Sequence, residues 1–224
     1  MLVNLLVLKS FVNNFRLWRK LFLFIPTLLF SYSFELTTND YNIIEQSPLK
    51  HQIRNRINDY REFVKLEQNS AIERKLCRVN FYINQILPEL DCITCDDGDY
   101  WMSPKEFLII GKGDCEDYAI AKYFTLIELD IDKRDLYLSI VKVEGSSNYH
   151  MVLLYNKDRN SEILVLDNLS FRVLPLGARR DLTPLVAMNE FGYFSIKDAK
   201  IDTQIKLNII QWQELLDKVY KQNR

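Results

Sequence analysis

Residues 111–124 read GKGDCEDYAIAKYF, a cysteine set among acids: Asp114 stands before Cys115, and Glu116 and Asp117 follow it. From Cys115 to Leu129 the pattern is helical. Ala119, Tyr123 and Leu126, with the offset set Ile120, Phe124 and Ile127, form a broad apolar face containing neither Gly nor Pro. Asp114 is placed to cap that helix. Cys115 then falls in the first turn, where unpaired backbone N–H groups and the macrodipole favour a thiolate. The flanking carboxylates work the other way, because like charge raises the pKa of a thiol. Either the cysteine is inert or something neutralises the acids.

Outward from this helix, the downstream chain turns β-rich. LYLSIVKV (136–143), HMVLLY (150–155) and EILVLDNL (162–169) are separated by the turn-like GSSN and NKDRNS, which predicts an antiparallel meander. Ile209, Trp212, Leu215, Leu216 and Val219 predict a closing helix packed on the core. Upstream, Ile53, Ile57, Tyr60 and Val64 recur at helical spacing. A second such run follows with Leu76, Val79, Ile83 and Ile86. The segment DCITCDDGDYWMSP (91–104) is loop chemistry, rich in acids and punctuated by Gly98 and Pro104. The fold class is therefore α+β, with N-terminal helices and a cysteine-bearing helix packed on an antiparallel sheet.

The chain has only two histidines, His51 and His150, and only His150 lies in the α-then-β block. A cysteine on a helix N-terminus, a histidine opening one strand and an acid ending the next can meet at one end of a sheet. Cys115, His150 and Asp167 fit that description, and such a set forms a nucleophile, a general base and an orienting acid. From the residues alone, a structural histidine and an unremarkable aspartate remain open, as does a purely capping role for Asp114, Glu116 and Asp117.

The composition bounds the function. The chain of 224 residues is 48% hydrophobic and carries 29 basic against 30 acidic side chains. That balance suits an ordinary globular core and supplies no basic footprint for a nucleic-acid partner. At the N-terminus, Lys9, Arg16, Arg19 and Lys20 precede the apolar run LFLFIPTLLF, and Ser31-Tyr32-Ser33 follows with a small-x-small pattern. This is the order of an export signal cut after Ser33, residues 1–33. Because LVNLLVL before the charges is itself apolar, an uncleaved anchor is the alternative. Residues 34–46 are polar and turn-like, a linker, and 47–224 form the mature domain, in which no stretch reaches transmembrane length.

GDCEDYAIAKYFTL, HMVLLY, LVLDNL and LPLGARRDLTP, with DYWMSPKEFL upstream, occur in that order over roughly Lys75 to Ile196. Together they resemble the bacterial transglutaminase-like cysteine proteinases of the LapG type. The resemblance implies a papain/transglutaminase-like fold and a periplasmic protease. It would cut large surface adhesins near their N-terminus at a di-alanine site, under control of an inner-membrane LapD-type receptor for cyclic-di-GMP. It assigns Cys115 as nucleophile, His150 as general base and Asp167 as third member. It also implies Ca²⁺, with Asp114, Glu116 and Asp117 in the metal site; hard oxygen donors suit that ion, although three carboxylates leave its shell incomplete. The alternatives are a transglutaminase or amidase acting on another amide, and a non-catalytic periplasmic binding protein.

Two features depart from the resemblance or stand beside it. Glu128-Leu129-Asp130 ends the cysteine helix without the family's glycine, and Cys92-Ile93-Thr94-Cys95 suggests a local disulfide or two free thiols rather than zinc. Cys77 is expected to be a small buried hydrophobe. Tyr100 and Trp101 are placed either to line a groove or to pack, and Arg179 and Arg180 either to lie at the surface or to position acids.

Overall fold

The computed structural model describes residues 32–89, 100–158 and 161–222. Cys92 and Cys95 lie outside them.

Helix α1 (Thr38–Gln46) forms where a linker was expected. Thr37 and Asp40 make a reciprocal capping box: Thr37 Oγ1 accepts from the Asp40 N–H at 3.2 Å, and Asp40 Oδ2 accepts from the Thr37 N–H at 2.6 Å. Tyr32, Phe34 and Ile44 are buried, so the folded body begins before residue 34. Helix α2 (Lys50–Glu67) buries Ile53, Ile57, Tyr60 and Phe63, and α3 (Ile72–Ile83) buries Leu76, Val79 and Ile83, as their spacing requires. Cys77 is helical but exposed, a correction with a simple cause: it follows Leu76 by one residue and is turned off the buried stripe. The two-residue strands β1 (Leu87–Pro88) and β2 (Lys112–Gly113) pair in parallel.

Between them lies α4 (Pro104–Ile110), with Ser103 and Glu106 as a second capping box and Pro104 in the first turn. It stops at Gly111, whose φ of +80° belongs to the left-handed region. Arg56 closes this end, donating to the carbonyls of Leu108 and Ile109 at 2.6 and 2.9 Å. A side chain at 111 would collide with that guanidinium.

Helix α5 (Cys115–Glu128) is buried continuously from Glu116 to Ile127. It packs between α3 on one side and the sheet on the other, which is why its apolar face is so broad. Its C-terminus makes the helix stop without glycine. Asp130 takes φ +63°, its N–H donates to the Ile127 carbonyl at 3.0 Å, and the Ile131 N–H donates to the Leu126 carbonyl at 2.9 Å. That is a Schellman arrangement with aspartate in the left-handed position.

The strands are β3 (Leu136–Val143), β4 (Tyr149–Tyr155), β5 (Leu164–Asp167), β6 (Ser170–Pro175), β7 (Leu182–Asn189), β8 (Gly192–Lys197) and β9 (Lys200–Ile205). They form one antiparallel sheet in the order β6-β5-β4-β3-β7-β8-β9. The expected meander is its β3-β4-β5 part; β6 to β9 extend it on both sides. Strand alternation divides the core. Leu138, Met151, Leu153 and Leu166 face the helices, while Val141, Val152, Leu154 and Val165 join Leu176 and Leu182 on the opposite face. The last helix, α6 (Ile210–Gln222), buries Trp212, Leu215 and Val219, with Trp212 set edge-on against Tyr123 of α5. Among the described residues no helix is long and apolar enough to cross a membrane.

Candidate active site

The N-terminus of α5 carries Cys115 to the end of the sheet where the central strand β4 begins. Asp114 is its cap residue, and Asp117 Oδ2 accepts from the Asp114 N–H at 3.2 Å. Asp117 Oδ1 accepts from the Met102 N–H at 2.9 Å, tying the loop before α4 to the cysteine helix. Burial and the neighbouring Asp114 charge push the Asp117 carboxyl up to about 7.

Cys115 is partly buried, and its thiol lies 3.1 Å from Glu116 Oε2. Burial, then the Glu116 charge and hydrogen bond, push the thiol well above its ordinary pKa; the Met151 backbone N–H acts in the opposite direction. The helix N-terminus alone does not make a thiolate here, because the adjacent carboxylates and low solvent access outweigh it.

Strand β4 begins with Tyr149 and His150, and β5 ends with Asp167. Their antiparallel pairing brings the start of one beside the end of the other. His150 Nε2 is 2.8 Å from Asp167 Oδ1, which also accepts from the Leu169 N–H at 2.9 Å. Arg179 holds the second oxygen, its Nη2 2.8 Å from Oδ2 as an ion pair rather than an aligned hydrogen bond. Burial raises the Asp167 pKa, but the hydrogen bonds from His150 and Leu169, the His150 charge and Arg179 together bring it down to about 2.

Trp101, Cys115, Glu116, Ile140, Tyr149, His150 and Met151 line one cleft of about 270 Å³. Cys115 and His150 thus face a shared space, although the thiol's hydrogen bond goes to Glu116. Trp101 is buried in the cleft wall. Tyr100 is exposed instead and donates to Glu106 Oε1 at 2.8 Å. Behind Trp101, Lys218 of α6 donates to the Trp101 carbonyl at 3.2 Å and to Glu106 Oε2 at 2.8 Å.

The three acids of the expected calcium site divide. Asp114 and Asp117 adjoin each other, while Glu116 turns to the thiol. Among the described residues no group of three or more His, Cys, Asp or Glu is gathered to hold a metal. The donor chemistry nevertheless fits Ca²⁺: the carboxylates are hard oxygen donors, and burial together with the neighbouring Asp114 charge disfavours the ionised form of Asp117, a penalty that a divalent cation would relieve. The acid-rich part of the preceding loop, residues 90–99, lies outside the described residues.

Two contacts were not legible in the sequence. The Glu116–thiol bond depends on a rotamer, and Arg179 reaches Asp167 only because the connection after β6 returns to this end of the sheet.

A partly buried helix-terminal cysteine sharing a cleft with a histidine–carboxylate pair defines the class of papain-like and transglutaminase-like thiol enzymes. Residues 50–179 match the family of bacterial transglutaminase-like cysteine proteinases, and the chain belongs to it. Among solved structures it is similar to calcium-bound LapG of Legionella pneumophila, with 29% identity and a TM-score of 0.69 over 80% of this chain and 97% of that one. EGTA-treated Legionella pneumophila LapG gives 30% identity and a TM-score of 0.69 over 81% and 96%. No curated protein matches the sequence.

Proposed function

We propose that this cysteine proteinase is a calcium-dependent periplasmic endopeptidase that cuts the N-terminal region of a large surface adhesin, with Cys115, His150 and Asp167 as its catalytic set. The observation that carries the reading is the 2.8 Å His150–Asp167 contact on the cleft that Cys115 also lines. With Nε2–H donated to Asp167, Nδ1 is the ring nitrogen left to take the thiol proton. Sγ then attacks the scissile carbonyl carbon, His150 returns the proton to the departing amine, and water hydrolyses the thioester. Asp167 holds the tautomer and stabilises the imidazolium.

For this cycle the thiol must leave Glu116. Asp114, Glu116 and Asp117 would hold Ca²⁺, whose charge offsets the carboxylates around Cys115. The calcium-bound and EGTA-treated forms of LapG support this reading. The basic and apolar order of the N-terminus supports export. The same family likeness supports release of adhesin from the cell surface under a cyclic-di-GMP receptor.

The test is cleavage of the host adhesin's N-terminal fragment, followed by gel and mass spectrometry, in calcium and in chelator. Expected is hydrolysis into two fragments with calcium and none with Cys115→Ala. Mass added through amine cross-linking would instead indicate a transglutaminase. Tight binding of uncut fragment in calcium would indicate a binding protein.

A further inference from the structure

The crowding of basic groups around Asp167 exceeds what one imidazole needs. Arg179 is nearly buried and is itself fixed by Asp181, whose Oδ1 and Oδ2 accept from its Nε and Nη2 at 2.9 and 2.7 Å. The turn is tied at both ends: the Arg179 N–H donates to the Leu176 carbonyl at 3.0 Å, and the Leu182 N–H donates to the Arg179 carbonyl at 3.0 Å. β6 ends away from Asp167, since Pro175 pairs with Leu164 and Ser170 with Asp167. Residues 176–181 therefore carry the chain back to the end of the sheet that holds His150. On the way they pack Leu176 into the core opposite the helices.

From the helix side comes Lys122, two turns along α5 from Cys115. It is fully buried, and no described group hydrogen-bonds its Nζ. Its Nζ lies 5.9 Å from the centre of the Tyr118 ring, which only partly offsets the cost of burying an amine that makes no hydrogen bond. The opposite charge acting on it is that of Asp167; burial draws its pKa down to about 7 while Asp167 pulls it up. The same neighbourhood holds two buried acceptors that no described group satisfies, Asn80 Oδ1 and Asn84 Oδ1. Their amides donate to the carbonyls of Ser170 and of Asp167 and Ser170, respectively.

We infer that Arg179 and Lys122 are positioning residues for Asp167, Arg179 through its 2.8 Å ion pair with Oδ2 and Lys122 as a fully buried amine on the helix that packs against β5, together reserving Oδ1 for His150 and linking that pair to the helix that carries Cys115. This rests on the reading of Asp167 as the acid behind His150. Arg179 is the geometric half of the grip: its ion pair prevents the carboxylate from rotating both oxygens towards the ring. Lys122 is the electrostatic half: both it and the carboxylate are shut off from solvent, so the charge it carries when protonated is little screened.

The experiment compares wild type, Arg179→Met, Arg179→Lys and Lys122→Met in the full mature chain with calcium, each first checked for cooperative thermal unfolding. Two readouts are taken: kcat and KM on the adhesin fragment, and the downfield proton resonance of the His150 Nε2–H, assigned against His51→Gln. Expected for Arg179→Met and Lys122→Met is a fall in kcat of about tenfold or more with KM within about twofold. The resonance should weaken or move upfield, and Arg179→Lys should recover part of both losses. Unchanged kcat and resonance in both methionine variants would overturn the inference. So would a lowered melting temperature with the resonance intact, which marks a structural role only. If Arg179→Met does not fold, Arg179→Lys and Lys122→Met decide between these outcomes. If wild type cuts no adhesin, the proposed function falls while the resonance still decides whether the two side chains hold the pair.

Discussion

The Cys115 thiol and the Glu116 carboxylate are hydrogen-bonded to each other at 3.1 Å, so the side chain that would attack is bound by the residue following it. The bond favours the protonated thiol. Burial and the Glu116 charge act in the same direction. In chelator, Glu116→Gln should therefore alkylate at Cys115 with iodoacetamide at least about tenfold faster than wild type at neutral pH, since one pKa unit lost is tenfold in thiolate. Equal rates would mean that burial alone suppresses the thiol.

Asp117 gives a pH signature. Its folded pKa, about 7, lies above the ordinary value of 3.8, so its contribution to stability is complete below 3.8 and is lost as pH rises through about 7. Without metal, the melting temperature should decline from pH 5 to pH 8, and Asp117→Asn should flatten that decline. Calcium should raise the melting temperature more at pH 8 than at pH 5, because at the lower pH it must displace a proton. A calcium shift independent of pH would place the ion away from Asp117.

Tyr32 is buried, with its ring 4.9 Å from Phe124 of the cysteine helix. Phe34 sits 4.9 Å from Tyr60, and its N–H donates to Glu128 at 2.9 Å. A chain starting at residue 34 should thus be less stable than one starting at 32 by roughly 2–4 kcal/mol, the range for losing a large core side chain. Chemical denaturation of the two chains measures it. Identical midpoints would show that Tyr32 adds nothing to the fold.

At Asp130 the left-handed backbone is occupied by a residue that tolerates it but does not prefer it. Asp130→Gly should stabilise the protein by about 0.5–1 kcal/mol, less whatever is lost with the Gln68 contact to its carboxylate at 2.5 Å. Asp130→Val should destabilise it. Thermal melts of both variants separate backbone strain from the side-chain bond.

The cysteine helix, helices α2 and α3 and the three-strand meander were legible in the sequence because their apolar residues recur with one clear period and their ends are punctuated, whereas the short α4 was not. Helix α1 was not, since THR-ASN-ASP-TYR at 38–41 is polar and its capping box uses Asp40 instead of the glutamate or glutamine that usually marks one. Strands β6 to β9 escaped as well: β6, β8 and β9 leave much of their surface exposed, so polar residues interrupt the alternation, and Pro184 interrupts β7. The members of the site could be named from a cysteine at a helix start, a histidine at a strand start and an acid at a strand end. How they engage could not. Whether Cys115 turns to Glu116 or to His150 is a choice of rotamer, and the approach of Arg179 depends on where a connection crosses the sheet.

Lys218 lies more than a hundred positions from Cys115, yet it holds the carbonyl of Trp101 and the side chains of Tyr100 and Glu106 from the final helix. A boundary drawn just after β9 would keep Cys115, His150 and Asp167 and still release one wall of the cleft. The same lever makes the outer side of α6 an unsuitable attachment point for a purification handle or a fusion partner, because strain applied there is delivered to the mouth of the cleft.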